Sequence, residues 1–223
     1  MPFSPLPAEF TDLLNDLAHR SNPRIIDFGS GQGELSSLLT GFDLSVWGLD
    51  RLPEAAGVAA QLRGDALYPP VLPGSLDCIL AGNLVRHLLV QQKTGSFLQL
   101  WLELLRPGGC VFIFEDEPGS ESEAVRNFKD LQAFLALLMP STRGPLFSRS
   151  QFRKQVSRWT PGQQWSTGVV ANAIKPDAEF VCNMLSEGLS APESPSGAGQ
   201  LLSRIERHGL SYGSYWWACA TIV

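Results

Sequence analysis

A glycine-rich stretch that contains an acid is the part of the sequence whose residue types are best suited to bind a ligand. Residues 25–33 read IIDFGSGQG, with glycine at positions 29, 31 and 33. Because glycine has no Cβ, a backbone with glycine at alternate positions can turn sharply and bring its N–H groups close to a ligand. A polar or negative group can then lie beside the N-terminus of a following helix. The stretch therefore predicts a ligand-binding turn between a strand and a helix, and a tight turn without a ligand is the alternative.

The spacing of these glycines indicates the kind of ligand. A dinucleotide-binding turn follows the pattern G-x-G-x-x-G, in which the third glycine lets the helix pack closely beneath a diphosphate. Here that position holds Glu34, and Gly33 comes one residue early. Asp27 places a carboxylate where it would repel a diphosphate and attract an ammonium or sulfonium group. The pattern thus disfavours a nucleotide-dependent oxidoreductase.

Two further acids follow the next predicted strands. Asp50 ends the second strand, where the two oxygens of a carboxylate can accept hydrogen bonds from two ribose hydroxyls. Asp65 can accept a hydrogen bond from an adenine amino group, with the backbone N–H of Ala66 beside it. Each acid alone is an ordinary surface residue, but three acids and a glycine turn at successive strand ends predict a nucleoside site.

The elements that must position these residues are short apolar strands alternating with helices. Strands are predicted at 24–28, 44–49, 58–63, 76–81, 110–114, 165–174 and 215–223. Helices are predicted at 6–17, 34–39, 84–90, 97–105, 121–139, 148–159, 180–185 and 201–208. Such alternation is typical of a parallel sheet with helices on both faces, which binds ligands at the carboxyl ends of its strands.

Residues 24–116 resemble the core of the class I S-adenosylmethionine-dependent methyltransferases. The glycine turn with Asp27 is similar to the first motif of that family, and Asp50 stands at its ribose-binding acid. Residues 64–66, Gly-Asp-Ala, resemble its adenine-contacting motif. Residues 76–81 are similar to its fourth strand, and Leu-Arg-Pro-Gly-Gly at 105–109 is similar to the turn before its fifth.

The resemblance implies a fold and a cofactor. The expected fold is a single Rossmann-like α/β domain over residues 1–223, with a seven-stranded, mostly parallel sheet, helices on both faces and an antiparallel last strand. Residues 24–116 would bind S-adenosyl-L-methionine, and residues 1–23, 117–164 and 175–213 would be cap elements on the substrate side. The predicted cofactor-binding residues are Asp27, Gly29, Ser30, Gly31, Gly33, Asp50, Arg51, Asp65, Ala66, Ala81 and Asn83.

A base is optional in this chemistry, because methyl transfer from a sulfonium is an in-line displacement with a good leaving group. If the acceptor is a hydroxyl, a general base with a pKa near the working pH would help. His87 follows Asn83 by four residues at the mouth of the fourth strand, and we take it as the candidate base. The alternative is a histidine satisfied on a helix surface.

Residues on the acceptor side give several further hypotheses. Residues 115–117, Glu-Asp-Glu, follow the predicted fifth strand and could orient a substrate, although solvated loop acids are the expected case. Trp159 and Trp165 flank a turn and could form a substrate wall, although burial in the core is the expected case. Four other tryptophans are expected in the core: Trp47, Trp101, Trp216 and Trp217. A run without acids could form a basic face for an anionic substrate, the alternative being a solvated face: Arg143, Arg149, Arg153, Lys154 and Arg158.

Composition bounds the remaining choices. The 223-residue chain is 44% hydrophobic and 17% charged with a net charge of -5, which suits a globular domain and disfavours a general nucleic-acid coat. Its start has no features of an export signal, so a cytoplasmic location is expected. Four scattered cysteines predict core thiols and no metal. A small molecule methylated on oxygen or nitrogen is the expected acceptor. An RNA or protein substrate and a non-catalytic binding protein stay open, as does the oligomeric state.

Overall fold

A seven-stranded sheet forms the centre of the molecule. The computed structural model describes residues 5–51, 60–118, 122–141, 143–171 and 198–223. Its strands are β1 (Ile25–Phe28), β2 (Val46–Asp50), β3 (Ala60–Arg63), β4 (Leu76–Gly82), β5 (Leu105–Asp116), β6 (Ser166–Val170) and β7 (Tyr215–Thr221). They lie in the order β3-β2-β1-β4-β5-β7-β6. Strand β7 runs antiparallel to β5 and β6, and the other strands are parallel, as the resemblance implied.

Seven helices of the described ranges surround this sheet. They are α1 (Ala8–Ala18), α2 (Glu34–Thr40), α3 (Val85–Gln91), α4 (Phe97–Leu104), α5 (Glu123–Leu138), α6 (Arg149–Trp159) and α7 (Ala198–His208). The helix predicted at 180–185 and parts of the strands predicted at 58–63 and 165–174 lie outside the described residues. Apart from these, every predicted element is present with its ends shifted by a few residues. An α/β domain with helices on both faces of the sheet is confirmed.

The two faces of the sheet bury separate apolar clusters. Helices α1 and α2 cover one face, where Phe10, Leu14 and Leu17 of α1 are fully buried. Their spacing of three and four residues places them on one side of the helix. Burial of a large apolar side chain contributes about 1.5–3 kcal/mol, so this stripe fixes α1 to the sheet. Helices α3, α4 and α6 cover the opposite face around the buried Trp101.

A third cluster lies outside the sheet, between α5 and α7. Phe128, Leu131 and Leu135 of α5 pack with Leu201 and Ile205 of α7. The connections place this pair at one edge of the sheet, because α5 follows the carboxyl end of β5 and α7 precedes β7, whose first residues pair with that end. We call α5 and α7 the two-helix unit.

The prediction that Trp47 belongs to the core is wrong. Its side chain is 51% exposed, whereas Trp101, Trp216 and Trp217 are buried as expected. Trp47 lies in β2 on the face opposite α2 and pairs with Ala60 of the edge strand β3. Ala60 is small and itself exposed, so it covers little of the indole.

The thiols lie in the sheet. Cys78 and Cys110 are buried and Cys219 is half-buried, all three as free thiols. Cys182 is outside the described residues. The hydrogen bond that Cys110 forms with Cys78, over 3.8 Å, joins β4 to β5 beside Ile25, at the other end of β1 from the glycine turn.

Candidate functional site

The glycine turn has the backbone geometry that its sequence predicts. Gly29, Gly31 and Gly33 have φ angles of +68°, +48° and +80°, a region that residues with a Cβ rarely adopt. A Cβ on Gly29 would lie 2.8 Å from Leu84 Cδ1, so the Leu84 side chain would have to shift. A Cβ on Gly31 would meet nothing within 4 Å. The Gly31 backbone therefore faces open space that a ligand can enter.

Asp50 lies directly beside this turn. Its Oδ2 accepts a hydrogen bond from the Gly31 N–H over 3.0 Å, which joins the end of β2 to the turn after β1. Gln61 of β3 donates from Nε2 to the Gly31 carbonyl oxygen over 3.3 Å. The two predicted site residues are thus together, and Gln61 is an additional contact that its sequence context did not mark.

Asp27 is buried beneath the turn. Ser36 of α2 donates from Oγ to Asp27 Oδ2 over 3.2 Å, while Oδ1 has no hydrogen-bond partner among the described residues. Burial, and then the charge of Asp50, raise the pKa of Asp27 to about 7, against the lowering effect of the Ser36 hydrogen bonds. A carboxylate with an unsatisfied buried oxygen has a strong preference for a cationic hydrogen-bond donor.

Ser30 is also buried, but its hydroxyl points away from open space. Glycine at position 48 accommodates it, since a Cβ there would lie 2.6 Å from Ser30 Oγ. In the described part of the chain this hydroxyl has no partner.

Arg51 and Asp65 form an ion pair at the next strand ends. Arg51 Nη2 lies 2.6 Å from Asp65 Oδ2 and also donates to Gln91 Oε1 over 2.6 Å. Asp65 Oδ1 accepts from the Leu67 N–H over 2.9 Å. The Ala66 carbonyl oxygen accepts from Trp101 Nε1 over 2.8 Å. These contacts fix the predicted adenine turn to β2, α3 and α4.

The carboxyl end of β4 carries the last predicted cofactor residues. Ala81 is fully buried between Phe28 of β1 and Ile113 of β5. Asn83 has a positive φ of +53°, and its Oδ1 accepts from the Asp116 N–H over 3.1 Å. Its own N–H donates to the Phe114 carbonyl oxygen over 2.8 Å. Asn83 thus joins β4 to β5 at the predicted site.

His87 lies one turn into α3 and contacts the segment that leads to α6. Its Nδ1 accepts from the Gly144 N–H over 2.9 Å, and its Nε2 accepts from Arg86 Nε over 3.3 Å. Burial, and then the charges of Arg86 and Arg143, lower the pKa of His87 to about 3. Both ring nitrogens of His87 therefore already have hydrogen-bond partners within the protein. The catalytic role of His87 stays a prediction, which this geometry disfavours.

The expectation that residues 115–117 are solvated loop acids is wrong for the first two. Strand β5 extends to Asp116, and Glu115 and Asp116 are buried. Glu115 Oε1 accepts from the Arg86 N–H over 3.2 Å, and Arg86 Nη1 lies 3.3 Å from Asp116 Oδ2. Glu117 Oε2 accepts from the Arg149 N–H over 3.1 Å. Strand pairing with β7 carries β5 past the apolar run, which is why the sequence placed its end too early.

The run of basic residues is divided between different places. Arg143 precedes α6 and lies near enough to His87 to affect its charge, and Arg153 lines a groove along β6 with Glu9 and Trp165. Trp159 is buried, with its ring over Gly95. The described contacts thus place Arg143 and Arg153 in different surroundings and not on a single basic face.

The residues present fit S-adenosylmethionine. Asp27 offers an unsatisfied carboxylate oxygen to an ammonium group, and the open backbone at Gly31 admits a ligand beside the carboxylate of Asp50. Several contributing residues were missed from the sequence, namely Ser36, Gln61, Leu84, Arg86 and Gln91. Their types are ordinary in strands and helices, and a single sequence gives no signal for them.

The fold and the glycine turn together define a class: a Rossmann-like domain with an antiparallel last strand, which is the fold of class I S-adenosylmethionine-dependent methyltransferases. Residues 4–158, more than half of the chain, match the family described as methyltransferase domain. The chain belongs to this family. The cofactor that family and fold support is S-adenosylmethionine.

Individual relatives agree with this assignment. An uncharacterized methyltransferase of Oceanobacillus iheyensis is 28% identical over 138 residues, which cover 57% of this chain and 64% of that protein. The chain therefore spans less than two thirds of the length of this relative. A cyclopropane-fatty-acyl-phospholipid synthase-like protein from Lactobacillus casei has the same fold, with a TM-score of 0.67 at 12% identity over 95% of this chain and 90% of that chain.

A further structural neighbour has the cofactor bound. Phosphoethanolamine N-methyltransferase 2 of Haemonchus contortus, solved in complex with S-adenosyl-L-methionine, superposes with a TM-score of 0.52 at 17% identity. The superposition covers 96% of this chain and 52% of that chain. Within the ranges that our structure describes, no helix combines the length and apolar character needed to cross a membrane.

Proposed function

We propose that this protein is an enzyme that transfers the methyl group of S-adenosylmethionine to an oxygen or nitrogen atom of a small molecule. The observation that carries the proposal is the arrangement at Gly31, whose backbone is open to a ligand and whose N–H is held by Asp50. Asp27 lies beneath the same turn with one carboxylate oxygen unsatisfied. An adenosyl group with a cationic amino acid part matches this distribution of charge.

The residues of the site bind and orient the cofactor. Asp27 would hold its ammonium group, Asp50 its ribose hydroxyls, and the turn at Asp65 and Ala66 its adenine. When bound, S-adenosylmethionine supplies a methyl group on a sulfonium that is already a good leaving group. The contribution of the protein is then alignment of the acceptor and exclusion of water.

Three parts of the chain support an acceptor site at the carboxyl edge of the sheet. The two-helix unit is connected to the ends of β5 and β7. The segment before α1 reaches the same edge, because the Tyr215 hydroxyl donates to the Pro5 carbonyl oxygen. The segment before α6 crosses it, since Trp216 Nε1 donates to the Phe147 carbonyl oxygen over 2.6 Å. These elements lie within the predicted cap regions 1–23, 117–164 and 175–213, and we propose that they enclose the acceptor.

The charge distribution favours a small acceptor over a nucleic acid. The net charge is -5, and two of the basic residues of 143–158 lie in different places, Arg143 near His87 and Arg153 in a groove at β6. Nucleic-acid binding needs clustered lysine and arginine along the path of the phosphates.

Transfer of labelled methyl groups tests the proposal. The protein is incubated with methyl-labelled S-adenosylmethionine and a cell extract separated into small-molecule, RNA and protein fractions, with the Gly31→Ala variant as control. We expect the label in the small-molecule fraction and S-adenosylhomocysteine as the second product. Label confined to RNA or protein would contradict the acceptor class. Binding of the cofactor without label in any fraction would contradict the enzymatic activity.

A further inference from the structure

Ser36 differs from its neighbouring hydroxyl residues in α2. Ser37 and Thr40 donate to carbonyl oxygens within their own turn, Gly33 O over 2.8 Å and Ser37 O over 2.7 Å. This is the ordinary behaviour of serine and threonine in helices. Ser36 instead donates across to Asp27 of β1, and both side chains are 1% exposed. The buried Ser36 hydroxyl thus donates its hydrogen bond to one oxygen of the buried Asp27.

This contact decides which carboxylate oxygen remains for a ligand. Ser36 occupies Oδ2 of Asp27, and Oδ1 has no partner in the described residues. A second donor, the backbone N–H of Ser36, also acts on the same carboxylate. The carboxylate is therefore held from the side of α2, and its rotation is restricted.

The contact also affects the charge of Asp27. Burial raises the pKa of Asp27 to about 7, and the Ser36 hydroxyl opposes this effect by donating to the charged form. Asp50 of β2 is the charged group that acts on Asp27 among the side chains the structure describes. In the sheet, Asp27 pairs with the uncharged residues Gly48 of β2 and Leu80 of β4.

We propose that Ser36 is a positioning residue for the cofactor: its hydroxyl fixes Asp27 Oδ2, so that Oδ1 accepts a hydrogen bond from the ammonium group of S-adenosylmethionine. The inference rests on the proposed role of Asp27 in the cofactor site. It assigns to α2 a part in recognising the amino acid half of the cofactor, whereas Asp50 and Asp65 serve the adenosine half.

Calorimetry with two ligands tests the inference. S-adenosylhomocysteine carries the ammonium group, and methylthioadenosine has the adenosine half without it. We expect Ser36→Ala to weaken binding of S-adenosylhomocysteine about tenfold, the effect of one hydrogen bond to a charged group, and to leave methylthioadenosine unchanged. Thr40→Ala, which removes an exposed hydroxyl from the same helix, should change neither affinity. Equal loss for both ligands, or no loss for either, would overturn the inference.

A double-mutant cycle separates this inference from the proposed role of Asp27. If Ser36 acts through Asp27, Ser36→Ala has no further effect on S-adenosylhomocysteine binding in the Asp27→Asn background. The same tenfold loss in both backgrounds contradicts the positioning role. An unchanged affinity of Asp27→Asn alone contradicts the role of Asp27 itself.

The pH profile gives a readout that mere loss of packing would not change. Affinity of the wild type for S-adenosylhomocysteine should rise between about pH 6 and about pH 7.5, as Asp27 ionises and before an α-amino group loses its proton. In Ser36→Ala the rise should move to higher pH, and Ser36→Thr, which keeps a hydroxyl, should restore its position. A profile identical in wild type and Ser36→Ala would count against the proposal. If threonine proves too large for the site, the double-mutant cycle decides alone.

Discussion

Glu115 caps a helix that belongs to a different part of the chain. Its Oε1 accepts from the backbone N–H of Arg86 in the first turn of α3. The Arg86 guanidinium forms an ion pair with Asp116, the next residue of β5. The residue at the N-cap position itself, Leu84, has no side chain that can accept a hydrogen bond. A buried acid on the neighbouring strand therefore replaces the local cap and ties α3 to β5.

The Glu115→Ala variant should lose about 1–3 kcal/mol of unfolding free energy, because the buried N–H of Arg86 loses its acceptor. Glu115→Gln keeps an acceptor for the Arg86 N–H and should lose less. Urea unfolding at neutral pH measures both variants. Equal stability of wild type and Glu115→Ala would show that the contact contributes nothing.

The same carboxyl should make stability depend on pH. Burial raises the pKa of Glu115 to about 7 from its ordinary 4.5, so the folded protein favours the protonated form. The corresponding stability is present below about pH 4.5 and is lost as the pH rises through about 7. Glu115→Gln should reduce this decline, while Asp27 retains its own part of it. Urea midpoints at intervals from about pH 5 to about pH 8 provide the measurement.

Gly31 and Gly74 form a matched pair for testing the ligand-binding turn. Both have positive φ angles, +48° and +64°, and a Cβ at either position would meet nothing within 4 Å. Replacement by alanine should cost each variant about 1–2 kcal/mol of unfolding free energy from backbone strain alone. Only Gly31→Ala should also lose measurable binding of S-adenosylmethionine by calorimetry. Retained binding in Gly31→Ala would exclude the turn as the cofactor site.

His87 is half-buried and His208 is exposed, so variants of the two histidines can be compared. The pKa of His87 is lowered to about 3 from 6.5, so its contribution to stability is present above about pH 6.5 and is lost as the pH falls towards about 3. His87→Gln should therefore reduce the acid sensitivity of unfolding, and His208→Gln should not. A glutamine can still accept from Gly144, so we expect kcat to keep the shape of its pH profile. Loss of an ionisation near neutrality in His87→Gln would instead support the catalytic base.

Trp101 and Trp47 provide a third comparison. Trp101 is fully buried and donates from Nε1 to the Ala66 carbonyl oxygen, whereas Trp47 is half-exposed. Trp101→Phe should cost about 1–3 kcal/mol through the unsatisfied carbonyl oxygen and weaken binding of the adenosine half. Trp47→Phe should change stability by less than about 0.5 kcal/mol. Thermal unfolding and calorimetry with methylthioadenosine test both, and an unchanged Trp101→Phe variant would refute the link from α4 to the adenine turn.

The sequence predicts the order of elements well, because apolar periodicity reflects burial on one or both faces. It also predicts that Asp50 lies near the glycine turn, since the carboxyl ends of parallel strands meet at one edge. It does not predict the contacts that join different elements. Ser36 and Asp27 are nine residues apart and Arg86 and Glu115 are 29 apart, and their contacts depend on how helices pack on strands.

Exposure of single side chains is likewise set by neighbours. Trp47 follows an apolar pattern, yet it lies beside the small Ala60 on an edge strand and remains accessible. Asp116 follows an apolar run, yet pairing with Tyr215 of β7 extends the strand and buries it. Both errors arise because a pattern along one strand contains no information about the residue opposite.

The two-helix unit has an interior of its own. Asn127 of α5 is fully buried and donates to the Arg204 and Gly209 carbonyl oxygens, over 3.1 and 3.0 Å, at the end of α7. The cluster that holds α5 to α7 shares no residue with the two clusters on the sheet. Substitutions inside the two-helix unit can therefore change its packing without disturbing the packing of the sheet. If this unit encloses the acceptor as we propose, the acceptor surface can vary independently of the strands that carry Asp27 and Asp50.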